Sequence, residues 1–164
     1  SVRQFRRFAA ATRTKRCRMK PPFNSRPAFT PQDVLAALRR AAKMLRSMGC
    51  VVITAKDGVQ AVHVSAHQAY DLILMDVQMP VLDGPSATSQ IRDLEAQTGR
   101  KPVPIVALTA NAMVHQVETY FEVGMNDIVA KPIRVPDLLR VIQAVANAET
   151  YEEATEALSQ SRAA

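Results

Sequence analysis

Residues 71–80 read DLILMDVQMP. Four apolar residues, Leu72 to Met75, stop at a carboxylate, Asp76, and Pro80 follows four residues later. A short apolar run bounded in this way reads as a strand buried on both faces, the kind that fills the middle of a parallel sheet. Most aspartates at strand ends are turn residues or helix caps. Asp76 has no basic residue near it in sequence to offset its charge, and the surrounding segments must decide between a cap and a chemical role.

On either side of that strand the pattern alternates. Residues 33–48 place Val34, Leu38, Ala41, Leu45 and Met48 on one helical face, and Gly49 closes the helix. Residues 50–55, CVVITA, predict a strand, and Asp57-Gly58 opens a helix over 58–68. After the strand at 71–75 comes a loop with Pro80 and Asp83-Gly84, then a helix to residue 96. VPIVAL (103–108) predicts a strand, 112–123 a helix stopped by Gly124, 127–130 a short strand and 135–147 a helix. Such alternation argues for an α/β fold, a parallel sheet with helices on both faces. A strand should also precede the helix at 33. The segment there, PFNSRPAFTPQD, carries Pro22, Pro27 and Pro31, and proline is poorly tolerated in a central strand. A degenerate first strand within residues 27–33 is therefore expected.

The net charge of +6 belongs to one end of the chain. Residues 1–30 hold nine basic residues and no acidic one; removing these from the 21 basic residues leaves 12 against 15 acidic, a balance of −3. Residues 1–26 read as a basic, disordered leader or linker, residues 27–147 as the folded domain, and residues 148–164 as an acidic tail. That tail, with four glutamates, either extends the last helix or is disordered. An Arg-rich leader is also compatible with a transit peptide or a nucleic-acid arm, but only Phe5, Phe8 and Phe23 interleave with its charges, so no nucleic-acid partner is expected. No apolar run approaches the ~18 residues of a membrane span, and a cytoplasmic chain without a membrane partner is expected. Cys17 and Cys50 have neither disulfide-framework nor zinc spacing. His63 and His67 are four apart but HVSAH lacks the glutamate of a zinc hydrolase, and His115 stands alone. No Gly-rich phosphate loop is present, so the chain is not expected to bind or hydrolyse ATP.

Three apolar strands end in one polar residue each: Asp76 after DLILM, Thr109 after VPIVAL, and Lys131 after DIVA. Ligands bind at the carboxyl ends of strands in open doubly wound sheets. In the order 2-1-3-4-5 a carboxylate, a hydroxyl and an ammonium meet in one crevice, with Asp33 expected on the other side. That constellation suits metal-assisted phosphoryl transfer.

The stretches DLILMDVQMPVLDG, VPIVALTANAM and GMNDIVAKP, in that order and spacing, resemble the receiver domain of two-component response regulators, most like those attached to hybrid histidine kinases. The resemblance covers residues 33–147 and implies a flavodoxin-like five-stranded sheet. It implies that Asp76 is the phosphoacceptor, taking a phosphoryl group from a histidine kinase or histidine phosphotransfer domain in a His-to-Asp phosphorelay. It further implies that Lys131 contacts the phosphoryl group, aimed by a cis Lys131–Pro132 peptide. By the same resemblance Thr109 would be the switch hydroxyl, and magnesium would be held by Asp33, Asp76 and the backbone carbonyl of Gln78. The domain would signal through its 4-5 face to an output domain or a second receiver. The resemblance implies a self-phosphorylating signalling domain rather than an enzyme with its own substrate, although the parent chain could be a histidine kinase. Three positions depart from the family. Gln32 stands where a second acid is usual, Val34 where a polar residue is common, and Ile128 where an aromatic switch partner is normal. A pseudo-receiver that keeps the fold without phosphorylation is the alternative. An aspartyl-phosphate phosphatase is disfavoured, because position 78 is Gln rather than a second aspartate.

Overall fold

A computed structural model describes residues 7–11, 39, 42–43, 45–47, 49–110 and 114–163. Five strands form one parallel sheet: β1 (Arg7–Ala11), β2 (Val51–Ala55), β3 (Leu72–Asp76), β4 (Ile105–Thr109) and β5 (Asp127–Ala130), in the order β2-β1-β3-β4-β5. Helical residues 39, 42, 43 and 45–47 are the described part of a first helix, α1. The others are α2 (Gly58–His67), α3 (Gly84–Thr98), α4 (Val114–Glu122), α5 (Val135–Asn147) and α6 (Tyr151–Ala163).

Both faces of the sheet are covered, and this is why β3 reads as an unbroken apolar run. Leu72 and Leu74 point to one side, where Leu45 of α1, Leu138, Val141 and Val145 of α5, and Leu158 of α6 close over them. Ile73 and Met75 point to the other, against Ala61 of α2, Ala87 and Ile91 of α3, and Tyr120 of α4. All five residues of β3 and of β4 are buried. Each large apolar side chain so buried contributes ~1.5–3 kcal/mol before the entropy of ordering is counted.

The place of the first strand is corrected by the sheet register. The position between β2 and β3 is held by Arg7–Ala11, inside the segment read as a leader, and not by residues 27–33: Ala11 lies level with Ala55 of β2 and Met75 of β3. A strand with neighbours on both sides needs its N–H groups, all of which RFAAA has, while residues 27–33 lack two of them at Pro27 and Pro31. Asp33, with Gln32 and Val34 beside it, lies outside the described residues. The segments 51–55, 58–67, 127–130 and 135–147 fall within a residue of their expected bounds, while Asp76 and Thr109 are the last residues of their strands rather than the first beyond them.

The acidic tail is a separate helix. α5 ends at Asn147, Ala148 is extended, and α6 turns back onto α5 and β5, burying Ala154 and Leu158. Thr150 Oγ1 accepts the Glu153 N–H at 3.2 Å and Glu153 Oε2 accepts the Glu149 N–H at 2.7 Å. Thr150 thus caps the new helix while Glu153 reaches back to the residue before the cap, a variant of the capping box. Among the described residues no helix is long and apolar enough to cross a membrane.

Candidate phosphoacceptor site

Asp76 closes β3 with only 2% of its surface exposed. Its Oδ1 accepts two hydrogen bonds, from the Gln78 N–H at 3.0 Å and from Lys131 Nζ at 2.7 Å. The first is an Asx turn, so the ordinary role of a strand-end aspartate is present. The second makes the site chemical. Lys131 comes from 55 residues further along the chain, and its side chain is 9% exposed against 3% for Asp76. A buried, charge-assisted pair of this kind is stabilised by attraction in a medium of low dielectric and balanced against the cost of removing both ions from water.

The sheet explains how the pair meets. β4 pairs with β3 so that Leu108 lies opposite Asp76, and Thr109 is the next residue. β5 pairs with β4 so that Ala130 lies opposite Thr109, and the Lys131 N–H donates to the Thr109 carbonyl at 2.7 Å. The Val77 N–H donates to the Leu108 carbonyl at 3.1 Å, which fixes the chain just past Asp76. Lys131 is thus anchored by its backbone at the Thr109 end of β4 and reaches across to β3. The Lys131–Pro132 peptide is cis, as the resemblance implies.

The loop after Asp76 is tightly drawn. Gly84 donates to the Val77 carbonyl at 3.0 Å, and a Cβ at Gly84 would stand 2.9 Å from the Val77 Cα and 3.0 Å from the Asp76 carbonyl carbon. Any larger residue there would push α3 away from the strand end. Asp83 caps α3 through the Ser86 N–H at 2.8 Å, and Asp57 caps α2 through the Gln60 N–H at 2.8 Å. Between Pro80 and Leu82, whose N–H donates to the Pro80 carbonyl at 2.9 Å, Val81 takes φ 71°. That is the left-handed centre of a γ-turn, a strained arrangement for a β-branched residue. Sequence reasoning passed over Val81, because nothing in the letter pattern marks its backbone angle.

The remaining candidates are distributed as follows. Thr109 is buried at the end of β4, on the strand next to Asp76. Gln78 is exposed, with its N–H on Asp76. Ile128 is half-buried in β5 and packs against the Ile73–Met75 side of the core. Asp33 lies outside the described residues. His63 and His67 are exposed on α2 with ring centroids 4.3 Å apart, and no group of three or more His, Cys, Asp or Glu side chains gathers among the described residues. Burial pushes the Cys50 thiol up, with the charge of Asp71 adding to the effect, which disfavours a reactive thiolate.

The family model of the response regulator receiver domain matches residues 32–143. The chain belongs to that family. β1 lies ahead of the matched span. Among curated relatives, the sensor protein GacS of Pseudomonas syringae pv. syringae is 39% identical over 134 residues, 80% of this chain and 15% of the relative. Transcription factor SKN7 of Saccharomyces cerevisiae is 40% identical over 111 residues, 68% of this chain and 17% of the relative. The chain thus spans about a sixth of the length of these relatives. Among solved structures, the receiver domain of sensor histidine kinase PA1611 from Pseudomonas aeruginosa, with a magnesium ion coordinated in its active site cleft, is 34% identical. The match covers 88% of this chain and 100% of that one, at a TM-score of 0.66. A co-crystal of the Saccharomyces cerevisiae histidine phosphotransfer protein Ypd1 with the receiver domain of Ssk1 matches at 27% identity. It covers 88% of this chain and 90% of that chain, at a TM-score of 0.69.

Proposed function

We propose that this receiver domain accepts a phosphoryl group on Asp76 from a phosphohistidine donor in a His-to-Asp relay. The observation that carries the reading is the 2.7 Å contact between the buried Asp76 carboxylate and Lys131. A carboxylate at a sheet crevice with a positioned ammonium is a competent nucleophile for phosphoryl transfer. One Asp76 oxygen attacks phosphorus, the P–N bond of the donor breaks, and its electron pair and a proton stay with the leaving imidazole. The product is an acyl phosphate. Lys131, released from sharing Asp76 Oδ1, follows the negative charge onto the phosphoryl oxygens, and Thr109 donates its hydroxyl to one of them. The rearrangement at β4 and β5 biases an equilibrium between two conformers.

The donor set also fits magnesium. That ion takes one or two carboxylates, keeps several waters and accepts phosphate oxygens; the buried Asp76 carboxylate suits it, and the Gln78 carbonyl and Asp33 are the proposed further ligands. When bound, magnesium offsets repulsion between the carboxylate and the incoming phosphoryl oxygens. A histidine phosphotransfer domain, as Ypd1 is for Ssk1, is the proposed class of donor, and an output domain or second receiver the proposed class of target, in a cytoplasmic setting. The functional unit is proposed to comprise β1 together with residues 27–147.

The pseudo-receiver reading is favoured by one observation: β1 ends at Ala11 and is followed in sequence by Thr12 and Arg13, so no acid stands there. Intact-mass spectrometry distinguishes the two. With a small acyl phosphate and magnesium the parent chain should gain one phosphoryl group and Asp76→Asn none. Labelling of neither protein would leave the pseudo-receiver.

A further inference from the structure

We propose that α6 is an exchangeable element, and that the seat it occupies on α5, β5 and α4 also binds α6 from a second copy of this chain. The seat is specific. Leu158 is fully buried among the core residues around Val141 and Val129, with Ala154 beside it. Both ends of α6 are tied to the seat: the Asn126 side-chain amide donates to the Tyr151 hydroxyl at 2.9 Å, Arg140 donates to Ser161 Oγ at 2.8 Å, and the Arg162 guanidinium lies 4.8 Å from the centre of the Phe121 ring.

The connection that folds α6 back is short and carries no breaker. Only Ala148, Glu149 and Thr150 separate the two helices, with neither glycine nor proline among them. Ala148 holds an extended φ of −82° and ψ of 144° at which the chain leaves α5. The break therefore depends on the Thr150–Glu153 capping box and on burial of Leu158, and not on a residue that cannot be helical. If both are released together, residues 135–163 form one continuous helix roughly 40 Å long at ~1.5 Å per residue. Straightening carries Leu158 away from its own seat and leaves two complementary apolar surfaces on one molecule that cannot meet. On two molecules they meet reciprocally, with every contact of the seat reproduced, in a closed two-fold arrangement. Exchange of an identical element across a short hinge is a low-cost route to a dimer.

The experiment is size-exclusion chromatography with light scattering on the 164-residue chain under reducing conditions across a concentration series. Thr150→Ala/Glu153→Ala removes the cap and favours the straight helix. Glu149→Pro forbids it, since proline inside a helix loses a hydrogen bond and clashes with the preceding turn; it gives up the Glu149 N–H bond to Glu153 Oε2 but keeps the Thr150 cap, and the extended Ala148 before it suits proline. The cap-deficient protein should dimerise at a concentration at least about tenfold lower than Glu149→Pro. If Glu149→Pro loses its far-ultraviolet helical signal, Glu149→Gly replaces it in the comparison. Equal dimerisation of the cap-deficient and hinge-blocked proteins, whether both dimers or both monomers, overturns the proposal.

Discussion

Three aspartates near strand ends show how alike residues part company. Asp57 and Asp83 each hold a helix N-terminus through a backbone N–H three residues on, at 2.8 Å. Asp76 also takes a local N–H, from Gln78, but its second partner is Lys131, 55 residues away. Sequence spacing separates these roles only through the strand that precedes Asp76, whose burial leaves the carboxylate no water to lean on. Val81 carries the clearest local strain. Its φ of 71° is paired with 87% exposure, so its side chain gains no packing in return. Strain of this kind costs ~1–3 kcal/mol, and glycine at the same position loses ~0.5–1 kcal/mol in chain entropy. Val81→Gly is therefore expected to stabilise the chain by about 1 kcal/mol, read as a higher midpoint in urea at unchanged slope. A lower midpoint would mean that the γ-turn is relaxed in solution.

At the level of elements, β5 links the site to the tail. Its first residue, Asp127, is fully buried and paired with Arg140 of α5 at 2.7 Å, while its other carboxylate oxygen has no hydrogen-bond partner. Arg140 also reaches Ser161 of α6, and Lys131 immediately follows the strand's last residue. Removing one member of a buried pair leaves an uncompensated charge, at a typical cost of ~3–5 kcal/mol. Arg140→Ala is expected to fall in that range in denaturant melts and to raise hydrogen exchange along α6. A loss below about 1 kcal/mol would show that solvent already reaches Asp127. Periodicity revealed β2 to β5 and α2 to α5, because each carries an apolar run or stripe, and α2, α3 and α4 are also bounded by a capping aspartate or a glycine. β1 was not legible: three alanines between arginines have weak strand propensity, and only pairing on both sides makes RFAAA a strand. Nor was α6 assigned, although Thr150-x-x-Glu153 is a capping box visible in the letters. The candidate site was legible where it sits at the ends of apolar strands, as with Asp76, Thr109 and Lys131. Asp33, whose place depended on the register of the first strand, lies outside the described residues.

Across the whole molecule, one sheet with helices on both faces brings the ends of β3, β4 and β5 to one crevice, and charge balance there governs the metal. Of the acids assigned to the site, Asp76 lies at the crevice and is already paired with Lys131. At an effective dielectric of ~20, a unit charge ~5 Å from a divalent ion contributes several kcal/mol before desolvation, so each carboxylate counts. Asp33→Ala is expected to weaken magnesium binding and Gln32→Asp to tighten it, followed by titration of amide chemical shifts. Unchanged affinity in Asp33→Ala would remove Asp33 from the metal site. The chemistry of the crevice rests above all on Asp76. Borohydride reduces an aspartyl phosphate to homoserine, so the chain can be treated with a small acyl phosphate and magnesium, reduced, digested and sequenced by tandem mass spectrometry. Homoserine at position 76, and at no other aspartate, is the expected result. Homoserine at Asp57 or Asp83, or none anywhere in a folded sample, would contradict the assignment of Asp76 as the phosphoacceptor.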